Sequence, residues 1–207
     1  MQFAFFAIIF VLIMKTTISF FLCLLTTVSF SQSWTAAQIN AANTAKDISY
    51  LTEAEKSAIK YINLARLYPQ LFISNELDAY NGATGFQENL QRSKYKKSLL
   101  KELKNKQPAK ALQFDRTMYE SAKCYAKESG NAGWIGHKRK SCSYGYLAEC
   151  CSYGVTSGKD IAMQWLIDDA VPGVMHRVNC LNPEYTMIGL AVHAHKVYRN
   201  CAVADFR

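Results

Sequence analysis

"TMIGLAVHAHKVYRNCAVADF", residues 186–206, carries two short runs of alternating apolar residues about a polar turn near Lys196. A period of two puts one set of side chains on a buried face, so two such runs joined by a turn read as a β-hairpin. Upstream, the spacing is helical. In "LTEAEKSAIKYINLARLYPQLF", residues 51–72, Thr52 and Glu55 form a capping box. Ala58, Ile59, Ile62 and Ala65 make an apolar stripe, and Pro69 stops the helix. A second helical region runs through the lysine-rich segment to Pro108. A third starts near Asp115, with Met118, Ala122, Tyr125 and Ala126 on one face, and ends around Gly130. "GKDIAMQWLIDD", residues 158–169, restores helical spacing with Ile161, Trp165 and Asp168 in register. Between these lie a turn at "YNGATG", residues 80–85, and a glycine-, serine- and tyrosine-rich segment, residues 131–157, expected to be loop with short strands. Residues 32–51 read as a polar lead-in. Helices outnumber strands and no internal repeat is present, which makes the chain α+β with a domain over residues 52–207.

The N-terminus indicates the compartment. Lys15 is the single charge in the first 31 residues, set between two apolar runs that give way to "SFSQS". A basic start, a short apolar stretch and small residues around Ser29 and Ser31 make residues 1–31 a secretory signal, with Met14 as an alternative start. Cleavage after Ser31 is favoured over an uncleaved membrane anchor, and Leu22 before Cys23 argues against lipid attachment at that thiol. The expected location is therefore secreted or extracytoplasmic. Six cysteines remain after the signal: Cys124, Cys142, Cys150, Cys151, Cys180 and Cys201. An even count in an oxidising compartment predicts three disulfides and no free thiol. Adjacent Cys150 and Cys151 must take different partners, and Cys180 with Cys201 is the pair read most readily. Zinc-finger ligation is disfavoured because no C-x-x-C pair occurs.

The net charge of +8 is concentrated in "QRSKYKKSLLKELKNKQPAK", residues 91–110. A solvated helix face is the simplest reading, with an anionic envelope or membrane surface as the partner it would otherwise fit. Nucleic acid is excluded as a partner by export and by the lack of a binding motif. There is no G-x-S-x-G elbow, no H-E-x-x-H helix and no glycine-rich phosphate loop.

Four stretches taken in order carry a resemblance: "YINLARLYPQLF"; "GHKRK" followed by "AECCSYG"; "WLIDDAVPGVMHRVNCLNPEY"; and the closing hairpin. Together they resemble the CAP superfamily (cysteine-rich secretory proteins, antigen 5 and pathogenesis-related 1), in its bacterial-type extracellular branch, over roughly residues 52–206. The resemblance implies a three-layer α-β-α sandwich and a cleft with two histidines and two acids. Position by position these are His137, Glu149, Asp168 and His176. The chain departs from the family pattern at Ala148 and Met175, where glycine is usual, and at Cys150, where asparagine is usual. Asp168 is also one methylene shorter than a glutamate.

Two neutral imidazoles bind zinc or a similar divalent ion, while carboxylates orient the rings or hold a metal-bound water. Such a site could activate water with Glu149 as base, or bind metal without chemistry. His193 and His195 form a weaker candidate for a second site. Trp165, Tyr144, Tyr146 and Tyr153 could line a ligand cleft, although packing is the commoner role of such residues. The leading expectation is a secreted CAP-domain binding protein, more readily a binder than an enzyme, that takes a divalent metal and a small lipid or glycan. A zinc-dependent hydrolase of peptides or envelope polymers, and a structural adhesion module with a vestigial tetrad, are the alternatives. The oligomeric state is left open.

Overall fold

The structure, a computed structural model, describes residues 33–83 and 89–207. Gln32–Arg207 form one compact unit, which contains a single core cluster running from Ala42 to Phe206. The expected signal segment, the alternative start at Met14 and Cys23 lie outside the described residues. Among the described residues no helix is long and apolar enough to cross a membrane.

Among the described residues seven α-helices and four strands follow in order, with three short helical turns of other types between them. The lead-in is not featureless: Thr35 and Gln38 form a capping box that starts α1 (Ala36–Ala42). A Ser/Thr and a Glu/Gln three residues apart satisfy two otherwise orphaned amides whatever the surrounding composition, and that signal was present at Thr35. α2 (Glu53–Leu67) begins at the Thr52–Glu55 box as expected. Pro69 ends it and also opens α3 (Pro69–Phe72), since a missing N–H costs nothing in a first helical turn. α4 (Lys94–Asn105) is capped by Ser93, and α5 (Arg116–Ala132) by Asp115. α6 (Gly158–Ile167) and α7 (Met175–Leu181) complete the set. The strands are β1 (Gln113–Phe114), β2 (Ala148–Tyr153), β3 (Met187–His195) and β4 (Arg199–Phe206).

The strands form one mixed sheet in the order β1-β3-β4-β2. β1 runs parallel to β3, while β3/β4 and β2/β4 are antiparallel. The expected hairpin is therefore the centre of the sheet, and β2 is its edge. α5 covers one face so closely that a Cβ at Gly189 would lie 1.9 Å from the backbone nitrogen of Tyr119. α2, α6 and α7 cover the other face, and at the edge of β3 left open beyond β1 the Val192 N–H donates to Glu55 Oε1 at 2.9 Å. The result is the three-layer α-β-α sandwich.

The expected three disulfides are not formed. Cys124 and Cys142 are bonded, tying α5 to the loop before β2, whereas Cys150, Cys151, Cys180 and Cys201 are buried free thiols. Strand alternation explains why the most readily read pair, Cys180 with Cys201, does not form. Cys150 points to the helical layer of α7, with Sγ 3.6 Å from the His176 carbonyl oxygen and in contact with Cys180. Cys201 points to the opposite face, with Sγ 3.3 Å from the Ala126 carbonyl oxygen on α5. The sheet thus separates Cys180 from Cys201, the pair read most readily from sequence.

Candidate functional site

β2 brings chemistry to the free edge of the sheet, where the two helical layers meet. Glu149 and Cys151, two residues apart, share the face toward α5, pairing with Asp205 and Val203 of β4. Here the loop after α5 supplies His137, whose Nδ1 lies 2.8 Å from Glu149 Oε1. Glu149 is buried, and its second oxygen accepts from Nε of Arg139 at 3.2 Å and from Nη2 of the same residue.

Arg139 is the hub of this loop. Its fully buried guanidinium also donates from Nη2 to both carboxylate oxygens of Asp205 at 3.1 and 3.0 Å, and from Nη1 to the carbonyls of Ser121 and Ser143. It lies over the rings of Tyr125, Tyr144 and Tyr146, with Tyr146 nearest at 4.5 Å. Two carboxylates thus share one cation. Burial, together with the nearby Glu149 charge, pushes the Asp205 carboxyl up to about 7, although its bonds to Ser121 and Arg139 pull the other way. Sequence reading missed Arg139 because a lysine and arginine run normally reads as solvated surface. The signal was "GHKRK" beside "AEC", a cation among buried strand acids.

On the other helical layer, Asp168 ends α6 with a left-handed backbone, φ 56°. Short polar side chains tolerate that conformation, and the turn aims the carboxylate at the start of α7. Asp168 Oδ2 accepts from the His176 N–H at 2.9 Å and the Arg177 N–H at 3.3 Å, and Oδ1 lies 2.7 Å from His176 Nδ1. The shortened acid reaches its partner because the chain turns there. α7 is held in turn by buried cations: Arg66 binds the carbonyls of Cys180 and Asn182, and Arg177 those of Leu166 and Ile167.

The structure therefore brings all four tetrad residues together, with the rings of His137 and His176 6.4 Å apart between centroids. Each histidine has its Nδ1 against a buried carboxylate, which leaves Nε2 as the free nitrogen beside the cleft. The cleft has a volume of about 460 Å³ and is lined by both histidines and Asp168, with Tyr153, Trp165, Val171, Ile135 and Tyr198 as its apolar part. Tyr153 and Trp165 thus line the cleft, whereas Tyr144 and Tyr146 pack on Arg139.

A further ligand grouping was not read from sequence. His137, Glu149 and Cys151 each offer an atom within 4.8 Å of the others. A cysteine in an even set reads first as half of a disulfide; the signal for Cys151 is its alternation with Glu149 along β2. Its thiol is pushed well above the usual range by burial and then by Glu149, and Sγ lies 3.3 Å from the Gly136 carbonyl oxygen, the position of a thiol donor.

His193 and His195 do not make a second metal site. His195 is buried, and its Nδ1 accepts from the N–H groups of Val197 and Tyr198 at 3.2 and 3.1 Å. Its Nε2 must then carry the proton donated to the Trp134 carbonyl oxygen at 2.8 Å, so neither nitrogen is free. His193 Nδ1 bonds the Ala194 carbonyl at 2.8 Å.

Comparison with known families agrees with this architecture. The family model described as CAP, the cysteine-rich secretory protein family, matches residues 28–206. The chain belongs to the CAP family. No curated protein matches it. Among solved structures this CAP domain is similar to an outer surface protein from Borrelia burgdorferi, at 21% identity over 54% of this chain and 86% of that one, with a TM-score of 0.39.

Proposed function

We propose that this CAP domain is an extracytoplasmic binding protein whose cleft holds a divalent metal through Nε2 of His137 and His176, and seats a small lipid or glycan along its apolar wall. The observation that supports this most directly is the doubled carboxylate–imidazole pairing. Glu149 and Asp168 each engage Nδ1, which fixes the tautomer that offers Nε2 to a metal. The donor set suits zinc or a similar borderline ion, and two protein ligands would leave positions for ligand or water.

A binder is favoured over a hydrolase by the state of Glu149. One of its oxygens is on His137 and the other on Arg139, so the candidate base is engaged on both sides as an orienting group. A second metal arrangement, His137 with Glu149 and Cys151, is favoured by the close grouping of those atoms. It requires the buried thiol to ionise and the cation to sit beside Arg139, both of which oppose it.

Calorimetric zinc titration tests the proposal. His137→Ala and His176→Ala each abolish binding, while Glu149→Gln and Asp168→Asn weaken it by about ten- to a hundredfold. Occupancy falls in mildly acidic solution, because protons compete for the imidazole nitrogens. Undiminished binding in both histidine variants overturns the assignment.

A further inference from the structure

The buried His195 joins two segments, the loop after α5 and the β3–β4 turn. Its Nδ1 holds the β3–β4 turn through the N–H groups of Val197 and Tyr198, and its Nε2 holds the loop after α5 through the Trp134 carbonyl. The N–H of Lys196 also reaches the Gly130 carbonyl at 2.9 Å. The two segments thus form one rigid tip, on which Ile135 and Val197 are 62% and 64% exposed and Tyr198 is 40% exposed. Scattered exposed apolar residues are ordinary, but these three share a tip that hydrogen bonds hold in place.

The exposed charges carried by the two segments themselves are basic, while Asp168 and Asp169 lie along the cleft that Ile135 and Tyr198 also line. Lys138, Lys140, Lys196 and Arg199 are all exposed, and the Lys140 ammonium lies 4.0 Å from the centroid of the Trp134 ring. No carboxylate occurs in the chain between Glu128 and Glu149, or between Glu184 and Asp205. Glu128, at the rim, has its oxygens on the N–H groups of Lys140 and Ser141.

α4, whose lysine-rich run reads from sequence first as a solvated face and otherwise as a contact for an anionic surface, lacks this combination. Lys96 there is buried with Nζ on the carbonyls of Asp78 and Tyr80, and no large apolar side chain of residues 91–110 is among the exposed ones. Exposed cations without an apolar contact make a solvated helix face.

We propose that the tip is a membrane-contact surface for an anionic bilayer: Ile135, Val197 and Tyr198 enter the headgroup layer while the surrounding lysines and Arg199 meet lipid phosphates. Apolar side chains with cations at their rim match the interfacial region, where burial and attraction to anionic lipid add. Ile135 and Tyr198 also line the cleft, so docking brings the mouth of the cleft to the bilayer. The proposal does not depend on metal in the cleft.

The test is co-sedimentation of residues 32–207, the compact unit with its own core, with phosphatidylcholine vesicles with and without phosphatidylglycerol. Leaving out the apolar N-terminal run keeps it from partitioning by itself. Binding is expected to the anionic vesicles only and to weaken at high salt. Ile135→Ser with Val197→Ser lowers partitioning by about tenfold, and Lys138→Gln with Lys196→Gln lowers it by about ten- to thirtyfold. Lys97→Gln with Lys101→Gln on α4 leaves it unchanged. Unaltered thermal melting of the tip variants confirms that they are folded. Equal binding to both vesicles, no binding to either, undiminished binding of the tip variants, or loss confined to the α4 variant overturns the proposal. So does concentration-dependent self-association abolished by the tip variants, which would place a second copy there.

Discussion

Arg139 shows how much of the site depends on a residue outside the tetrad. Its guanidinium is shared by Glu149 and Asp205 in a buried setting, so removing it leaves both acids without their cation. Arg139→Met is expected to destabilise the fold by roughly 3–5 kcal/mol, read by urea denaturation. Arg139→Lys recovers only part of that loss, because an ammonium cannot replace the planar fork. Asp205 gives a pH signature. Its folded carboxyl titrates near 7, above its ordinary 3.8, so its contribution is fully present below the lower value and is lost as pH rises through the higher one. The stability of the wild type relative to Asp205→Asn therefore falls between about pH 4 and pH 7. An Asp205→Asn difference that does not change over that window would contradict the shared-cation account. At this scale the sequence was half legible. The resemblance singles out His137, Glu149, Asp168 and His176, which the structure brings together, whereas Arg139 and Cys151 are not legible, because charge runs and paired cysteines have commoner meanings.

Among elements, the hairpin and the helices starting at Thr52, Asp115 and Ser157 were readable because caps and apolar periods are local signals. α7 and the edge position of β2 were not. α7 owes its start to the carboxylate of Asp168 at the end of α6, and its placement to Arg66 and Arg177, which make tertiary contacts with no local pattern. At Gly189 the backbone of α5 lies directly on β3. Gly189→Ala would set a methyl against backbone, forcing the helix off the sheet. The expected loss is on the order of 3 kcal/mol or more in denaturant unfolding. A near-neutral result would mean that α5 does not lie directly on β3.

For the whole molecule, the covalent frame is lighter than the cysteine count promised. The count is a sequence property, but which cysteines can meet depends on the face of the sheet each takes, and that separates Cys180 from Cys201. One bond, Cys124–Cys142, closes a separation of 18 residues, and its reduction should cost about 3 kcal/mol by loop entropy. Alkylation and peptide mapping should find Cys150, Cys151, Cys180 and Cys201 unmodified in the native protein and modified after denaturation without reductant. Burial first of all holds the thiols of Cys150, Cys151 and Cys201 above their usual range. Failure of these four to alkylate after denaturation would show them to be bonded. The central claim is that the two imidazoles, not the thiol, hold the metal, and cobalt(II) loading followed by absorption spectroscopy tests it most directly. The account predicts weak ligand-field bands without a thiolate charge-transfer band, in a spectrum unchanged by Cys151→Ser and lost in His176→Ala. An intense charge-transfer band that disappears in Cys151→Ser and survives in His176→Ala would contradict it.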